Sequence, residues 1–184
     1  DPAWYNGVEI LRYWSPFPAY VMAFCQYLAG GSQFGAYLFY IGGVCFLGAC
    51  VWPFIGRGFN RPYLGAFIGL LWFFMPNNLC AIFIEGNLAR SLSMIFLPVF
   101  IYSVYKYLYN HKLRYIPLMV FTFLLMELCH LGYAGMVAIA VIIYGIVYII
   151  QKGRKKAVLD VVISMIFDIL YTSLGCRCVF GLAV

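Results

Sequence analysis

In a chain whose long runs are almost entirely apolar, the few ionisable residues inside or beside those runs are where chemistry could reside. Two groups stand out. Glu85, Asn87 and Arg90 fall close together in the string Glu85-Gly86-Asn87-Leu88-Ala89-Arg90. A carboxylate beside glycine can coordinate a cation or orient a sugar hydroxyl, and an arginine at the next helix start can grip a phosphate through two parallel hydrogen bonds. A solvated turn with a helix-flanking arginine is the plainer alternative. Glu127 and His130 are three residues apart, so on one helix they share a face and form an ion pair or hydrogen-bonded pair. Such a pair could bind phosphate or pass a proton, or it could simply satisfy itself near a helix end. Glu85 and His130 are the candidate catalytic residues. Arg90, Asn87, Glu127 and, in the opening aromatic segment, Arg12 are the candidates for holding a substrate. Asp160 and Asp168 roughly share a face of the last apolar run. Asp160 follows a lysine cluster and reads as the partner of those lysines, whereas the pattern gives the deeper Asp168 no partner.

The elements that must position these residues follow from composition. Of 184 residues, 65% are hydrophobic, 20% aromatic and only 10% charged, against about 25% charged in a typical soluble domain. Twelve Lys and Arg with six Asp and Glu cannot clothe a water-facing surface, so the bilayer is the solvent for most of the chain. The fold class is therefore all-α, a polytopic transmembrane helical bundle. A spanning helix takes about 20 apolar residues. The mostly apolar runs cover residues 16–28, 34–55, 63–75, 91–105, 115–150 and 157 onward, and the fifth, with only Glu127 and His130 ionisable, is long enough for two helices joined by a tight turn near Leu131-Gly132. The count comes to about seven membrane segments, some short or re-entrant, in a single transmembrane domain over residues 1–184. Residues 1–15, with Trp4, Tyr5, Tyr13 and Trp14, read as an interfacial aromatic segment. Residues 77–90 read as a polar loop or re-entrant element between spans.

The net charge of +6 is mainly a matter of topology. If each run crosses once, Arg57, Arg61, Lys106, Lys112, Arg114, Lys152, Arg154, Lys155 and Lys156 collect on one side, which is then the cytoplasmic side. The Glu85 segment and His130 then approach the outer face. Bases confined to short breaks give no phosphate-binding face for nucleic acid, so the expected partners are membrane lipids. No GxxxxGK[ST], HExxH or GxSxG pattern is present, which leaves ATPase, zinc-protease and serine-hydrolase chemistry without support. The seven cysteines lie mostly within apolar runs without metal-ligand spacing and read as small packing residues. The residues themselves point to no metal site and no cofactor.

Several strings carry a resemblance: Asp1-Pro2-Ala3-Trp4-Tyr5-Asn6-Gly7, Arg12-Tyr13-Trp14-Ser15-Pro16, Phe74-Met75-Pro76-Asn77-Asn78, Glu85 to Arg90, and Cys129-His130-Leu131-Gly132. In this order, over nearly the whole chain, they resemble the bacterial membrane family labelled 6-pyruvoyl-tetrahydropterin synthase-related. The label refers to a soluble pterin enzyme, whose zinc-binding histidine set cannot be assembled from His111 and His130. The resemblance implies a multi-pass protein of the cell membrane with an architecture similar to glycosyltransferases that use polyprenyl-phosphate sugars. It further implies sugar transfer at the outer membrane face, a polyprenyl-phosphate sugar donor as partner, an acidic residue as base, and a divalent metal ion as a possible aid. The family carries an acidic, histidine-bearing motif upstream of the aromatic segment, so a chain opening on Asp1 is expected to be a fragment of a larger membrane protein that lacks this loop. Two rival readings stand beside it. One is a transporter or flippase of a lipid-linked or small polar substrate, with Glu127 and His130 relaying protons or binding cargo. The other is a non-catalytic membrane assembly subunit.

Overall fold

The computed structural model describes residues 15–181, with side chains as far as residue 172. Residues 1–14, Arg12 among them, lie outside the described residues, as do the side chains of Cys176, Arg177 and Cys178. All regular structure among the described residues is helical. In chain order it comprises α1 (Phe17–Leu28), α2 (Gln33–Arg57), α3 (Pro62–Phe73), α4 (Pro76–Leu79) running into a π-helical turn (Cys80–Ile84), α5 (Leu88–Asn110), α6 (Tyr115–Cys129), α7 (Leu131–Lys152) and α8 (Lys155–Gly181).

Local chemistry sets most of these boundaries. Pro62 and Pro76 open α3 and α4, where a missing N–H costs nothing and the fixed φ suits a first turn. Ser32 Oγ caps α2 by accepting from the Gly35 amide at 3.1 Å, and Asn87 Oδ1 caps α5 by accepting from the Arg90 amide at 3.0 Å. Each cap satisfies an amide that the helix leaves without a partner. α5 and α7 end on left-handed residues, His111 at φ 52° and Gly153 at φ 68°.

The outward faces are apolar, with Phe24, Phe34, Phe46, Tyr63, Met136 and Ile139 among the exposed large side chains. Helices apolar on every side are those of a membrane-embedded or deeply buried element. By length and composition, α2, α5 and α7 can cross a membrane, and α3 with Pro76–Ile84, bent by 57°, makes a fourth if counted as one span. Among the described residues this count does not confirm the expected seven or so membrane segments. α1 and α3 have 12 residues and α6 has 15, roughly 18 to 22 Å at about 1.5 Å per residue, against a hydrocarbon core of about 30 Å. The polar loop expected over residues 77–90 is largely helical, and only residues 85–87 lie outside a helix. Pro76-Asn77-Asn78 reads as a turn in sequence, yet Pro76 begins a helix and the Asn78 side chain donates to Trp72 O at 2.6 Å across the bend.

α5 is the central element. One core cluster packs it against α6, α7 and α8 through Phe100, Leu108, Met119, Phe123 and Val161, and a second packs it against α1 and α2 through Ala36, Tyr40, Val44, Leu92 and Ile95. The three basic breaks meet at one end of this bundle: Lys106 Nζ donates to Gly58 O at 2.7 Å, and Arg154 contacts His111. The Glu85 turn and His130, at the opposite ends of α5 and α6, therefore sit at the other end.

Candidate functional site

The Glu85 turn is a built feature. The π-helical turn closes with the Glu85 amide on Cys80 O at 2.9 Å, and the Asn87 amide returns to Ala81 O at 2.9 Å. Between them Gly86 adopts φ 59°, a conformation glycine enters without a Cβ clash. Two tyrosines of α2 brace the turn from the side: Tyr37 donates to Ile82 O at 2.6 Å and Tyr40 to Leu88 O at 2.7 Å. Within this frame Glu85 Oε2 lies 3.7 Å from Arg90 Nη1, with side chains 45% and 21% exposed. This is the only ion pair among the described residues. Cys80 Sγ approaches Glu85 Oε1 at 3.7 Å, and Arg90 Nε is buried without a hydrogen-bond partner. The sequence grouping of Glu85, Asn87 and Arg90 is thus brought together in space, with Asn87 serving as the helix cap that sets where Arg90 begins.

Beside the turn runs a groove of about 570 Å³ walled by α1, with Pro18, Met22 and Gln26 facing Glu85, Asn87 and Leu88. Its lining is mostly apolar, with the carboxylate and two amides as polar features. Ser15, at one end of the groove, donates to Glu127 O at 3.1 Å, which ties the start of α1 to the end of α6.

Glu127 and His130 are not a pair. α6 ends at Cys129, and His130 is extended at φ −156° and ψ 96°, so helical three-residue spacing does not apply to it. His130 Nδ1 instead accepts from the Tyr133 amide at 3.0 Å and caps α7, which requires that nitrogen to be unprotonated. Glu127 is only 3% exposed; its Oε2 lies 3.2 Å from Thr172 Oγ1, whose single proton is shared with Asp168 O at 3.0 Å and Ile169 O at 3.1 Å, while Oε1 has no partner. Asp168, one turn before Thr172 and also 3% exposed, has Oδ2 unpartnered. Asp168 and Thr172 complete this buried acidic region, and sequence reasoning missed the assignment because it depends on α8 packing against α6. Their four-residue spacing, which puts both on one face, was the available signal. Asp160 is not the lysines' partner either. It accepts from Tyr107 Oη at 2.7 Å.

Among the described residues no group of three or more His, Cys, Asp or Glu gathers around a point. Glu85, a single carboxylate facing a guanidinium, is a poor seat for a divalent ion, because Arg90 already supplies the opposing charge. Among the described residues none forms a set that fits the metal ion the resemblance implies.

An all-helical bundle with apolar outward faces and its sparse charge gathered at the ends defines a protein of the membrane class. The chain belongs to the family described as 6-pyruvoyl-tetrahydropterin synthase related domain, a membrane protein family, whose model matches residues 11–175. No curated protein and no solved structure matches it.

Proposed function

We propose that this chain forms part of a multi-pass cell-membrane protein that transfers a sugar from a polyprenyl-phosphate donor at the outer face, with the Glu85 turn at the reacting end. Arg90 grips the donor phosphate. Glu85 takes the proton from the acceptor hydroxyl as that oxygen bonds to the anomeric carbon and the bond to the polyprenyl phosphate breaks. Asn87 holds the turn, and His130 acts only by fixing the first turn of α7. The single observation that carries this reading is the Glu85–Arg90 pair beside a largely apolar groove, because a charged head on an apolar tail is the chemistry of a polyprenyl phosphate.

The test is transfer by the complete protein reconstituted with a polyprenyl-phosphate sugar. Glu85→Gln lowers turnover about 100-fold or more, the usual scale for losing a general base, while donor binding persists. Arg90→Ala weakens donor binding about tenfold or more through loss of a charge-assisted contact. Wild-type transfer by Glu85→Gln overturns the assignment.

A second reading, a transporter or flippase, is favoured by one observation: the unpartnered oxygens of Glu127 and Asp168 buried between α6 and α8. Such groups suit a transient cation or cargo hydroxyl. In reconstituted vesicles, release of sugar from the donor without movement of the donor across the bilayer excludes it.

A further inference from the structure

The basic end of the bundle holds a second cavity, of about 620 Å³, lined by Tyr107, His111, Arg154, Lys155, Lys156 and Asp160. It is separated from the Glu85 turn by the length of α5, roughly 34 Å at about 1.5 Å per residue. Two left-handed caps build it. At His111 and Gly153 the chain leaves α5 and α7 in the same conformation, so the turn into α8 lays Arg154 against the His111 ring, where the guanidinium meets Nε2.

The charge balance around this cavity is uneven. Asp160 is the acid on its wall, and its carboxylate is engaged by the Tyr107 hydroxyl at 2.7 Å. Arg154, Lys155 and Lys156 are exposed and have no carboxylate within ion-pair distance among the described residues. Membrane topology asks for bases at this end, but it does not ask for three of them to converge on one concave wall against a single carboxylate.

We infer that this cavity binds a phosphate-bearing anion, with Arg154 and Lys156 as its principal ligands. Leu113, 72% exposed, forms part of the same wall, so the site presents apolar surface beside the bases. That combination favours the phosphate of an anionic phospholipid headgroup over free phosphate, since basic pockets at helix ends on the cytoplasmic side take such headgroups.

The test is thermal unfolding of the complete protein in detergent, titrated separately with phosphatidylglycerol, phosphatidylcholine and inorganic phosphate. Phosphatidylglycerol raises the unfolding temperature saturably and phosphatidylcholine does not. Arg154→Gln and Lys156→Gln each weaken the half-saturation point about fivefold, the scale of one base near an anionic headgroup. Lys112→Gln and Lys152→Gln, which remove bases that do not line the cavity, change it less than twofold. Arg154→Lys keeps most of the response and guards against a misfolded Arg154→Gln. A saturable shift with inorganic phosphate that depends on the same two residues identifies free phosphate as the source and upholds the site. No saturable response to either anion, or equal weakening by all four Gln variants, overturns it.

Discussion

Asn87 governs the site although it takes no part in the proposed chemistry. Its Oδ1 holds the Arg90 amide at 3.0 Å, and its carbonyl receives the Ser91 hydroxyl at 2.8 Å, so both the start of α5 and the direction of Arg90 depend on it. Asn87→Ala is expected to cost about 1 kcal/mol, the usual worth of such a cap, and to weaken donor binding with it. Calorimetric unfolding of the purified protein checks the first effect. Asn87→Asp, which keeps the capping oxygen, is expected to restore the stability. Glu127 makes a different case. Its Oε2 has the Thr172 hydroxyl and its Oε1 has nothing. Glu127→Gln retains an acceptor for Thr172 and leaves stability unchanged or higher. Thr172→Val strips the buried carboxyl of its only donor among the described residues and is expected to cost about 1–3 kcal/mol. No loss of stability in Thr172→Val would mean that the hydroxyl contributes nothing. The contrast between the two groups also explains what could be read in advance. Glu85, Asn87 and Arg90 are joined by contacts a few residues apart, so spacing alone found them. The contact of Glu127 lies 45 positions away and the helix breaks before His130, so spacing points to the wrong neighbour.

Among elements, the α2–α3 hairpin depends on two glycines facing each other. A methyl group on Gly56 would stand 2.7 Å from Arg61 O and 3.0 Å from Gly65 Cα, and one on Gly65 would strike Trp52 O. These obstacles are backbone and cannot swing away. Small residues at such crossings let helices approach closely where no hydrophobic effect drives them together. Gly56→Ala is expected to separate α2 from α3 and lower the unfolding temperature by several degrees. Gly42→Ala, on an exposed part of α2 with nothing within 4 Å, is expected to be neutral or to gain up to about 1 kcal/mol from helix propensity. The comparison needs only the two variants and the parent in the same detergent. The breaks at Gly30-Gly31, at residues 58–61, at residues 111–114 and near His130 are legible because charge or glycine marks them, although α5 runs past Lys106 to Asn110 before it ends. The helix over residues 76–84 was not. Its polar opening resembles a turn, and the tyrosines that hold it, Tyr37 and Tyr40, belong to another helix.

At the scale of the whole molecule, the separation of charge gives the bundle two different ends. Lys106 reaches Gly58, and Arg154 reaches His111, so three breaks far apart in sequence converge on one basic end. The carboxylate turn and the α6–α7 junction occupy the other. Apolar runs bounded by charge suggested the membrane class and this sidedness, but not the number of crossings, because a 15-residue apolar helix such as α6 has the same composition whether it spans lipid or packs inside protein. The sidedness has a direct consequence. Segments rich in Lys and Arg are generally retained in the cytoplasm, so the proposed transfer reaction requires the basic end inside and the Glu85 turn outside. Gln33 opens α2 at the end opposite its Arg57 terminus and is exposed, as Lys112 is at the basic end. In intact cells a Gln33→Cys variant is expected to react with a membrane-impermeant maleimide, and Lys112→Cys only after the membrane is opened. The native exposed cysteines Cys45 and Cys50 lie within the α2 span, where lipid shields them from such a reagent, and Cys80, partly exposed beside Glu85, is replaced by Ser together with Cys176 and Cys178 in the parent of both variants. The reverse pattern would put the Glu85 turn in the cytoplasm and remove the outer-face transfer reaction, while leaving the Glu85–Arg90 geometry intact.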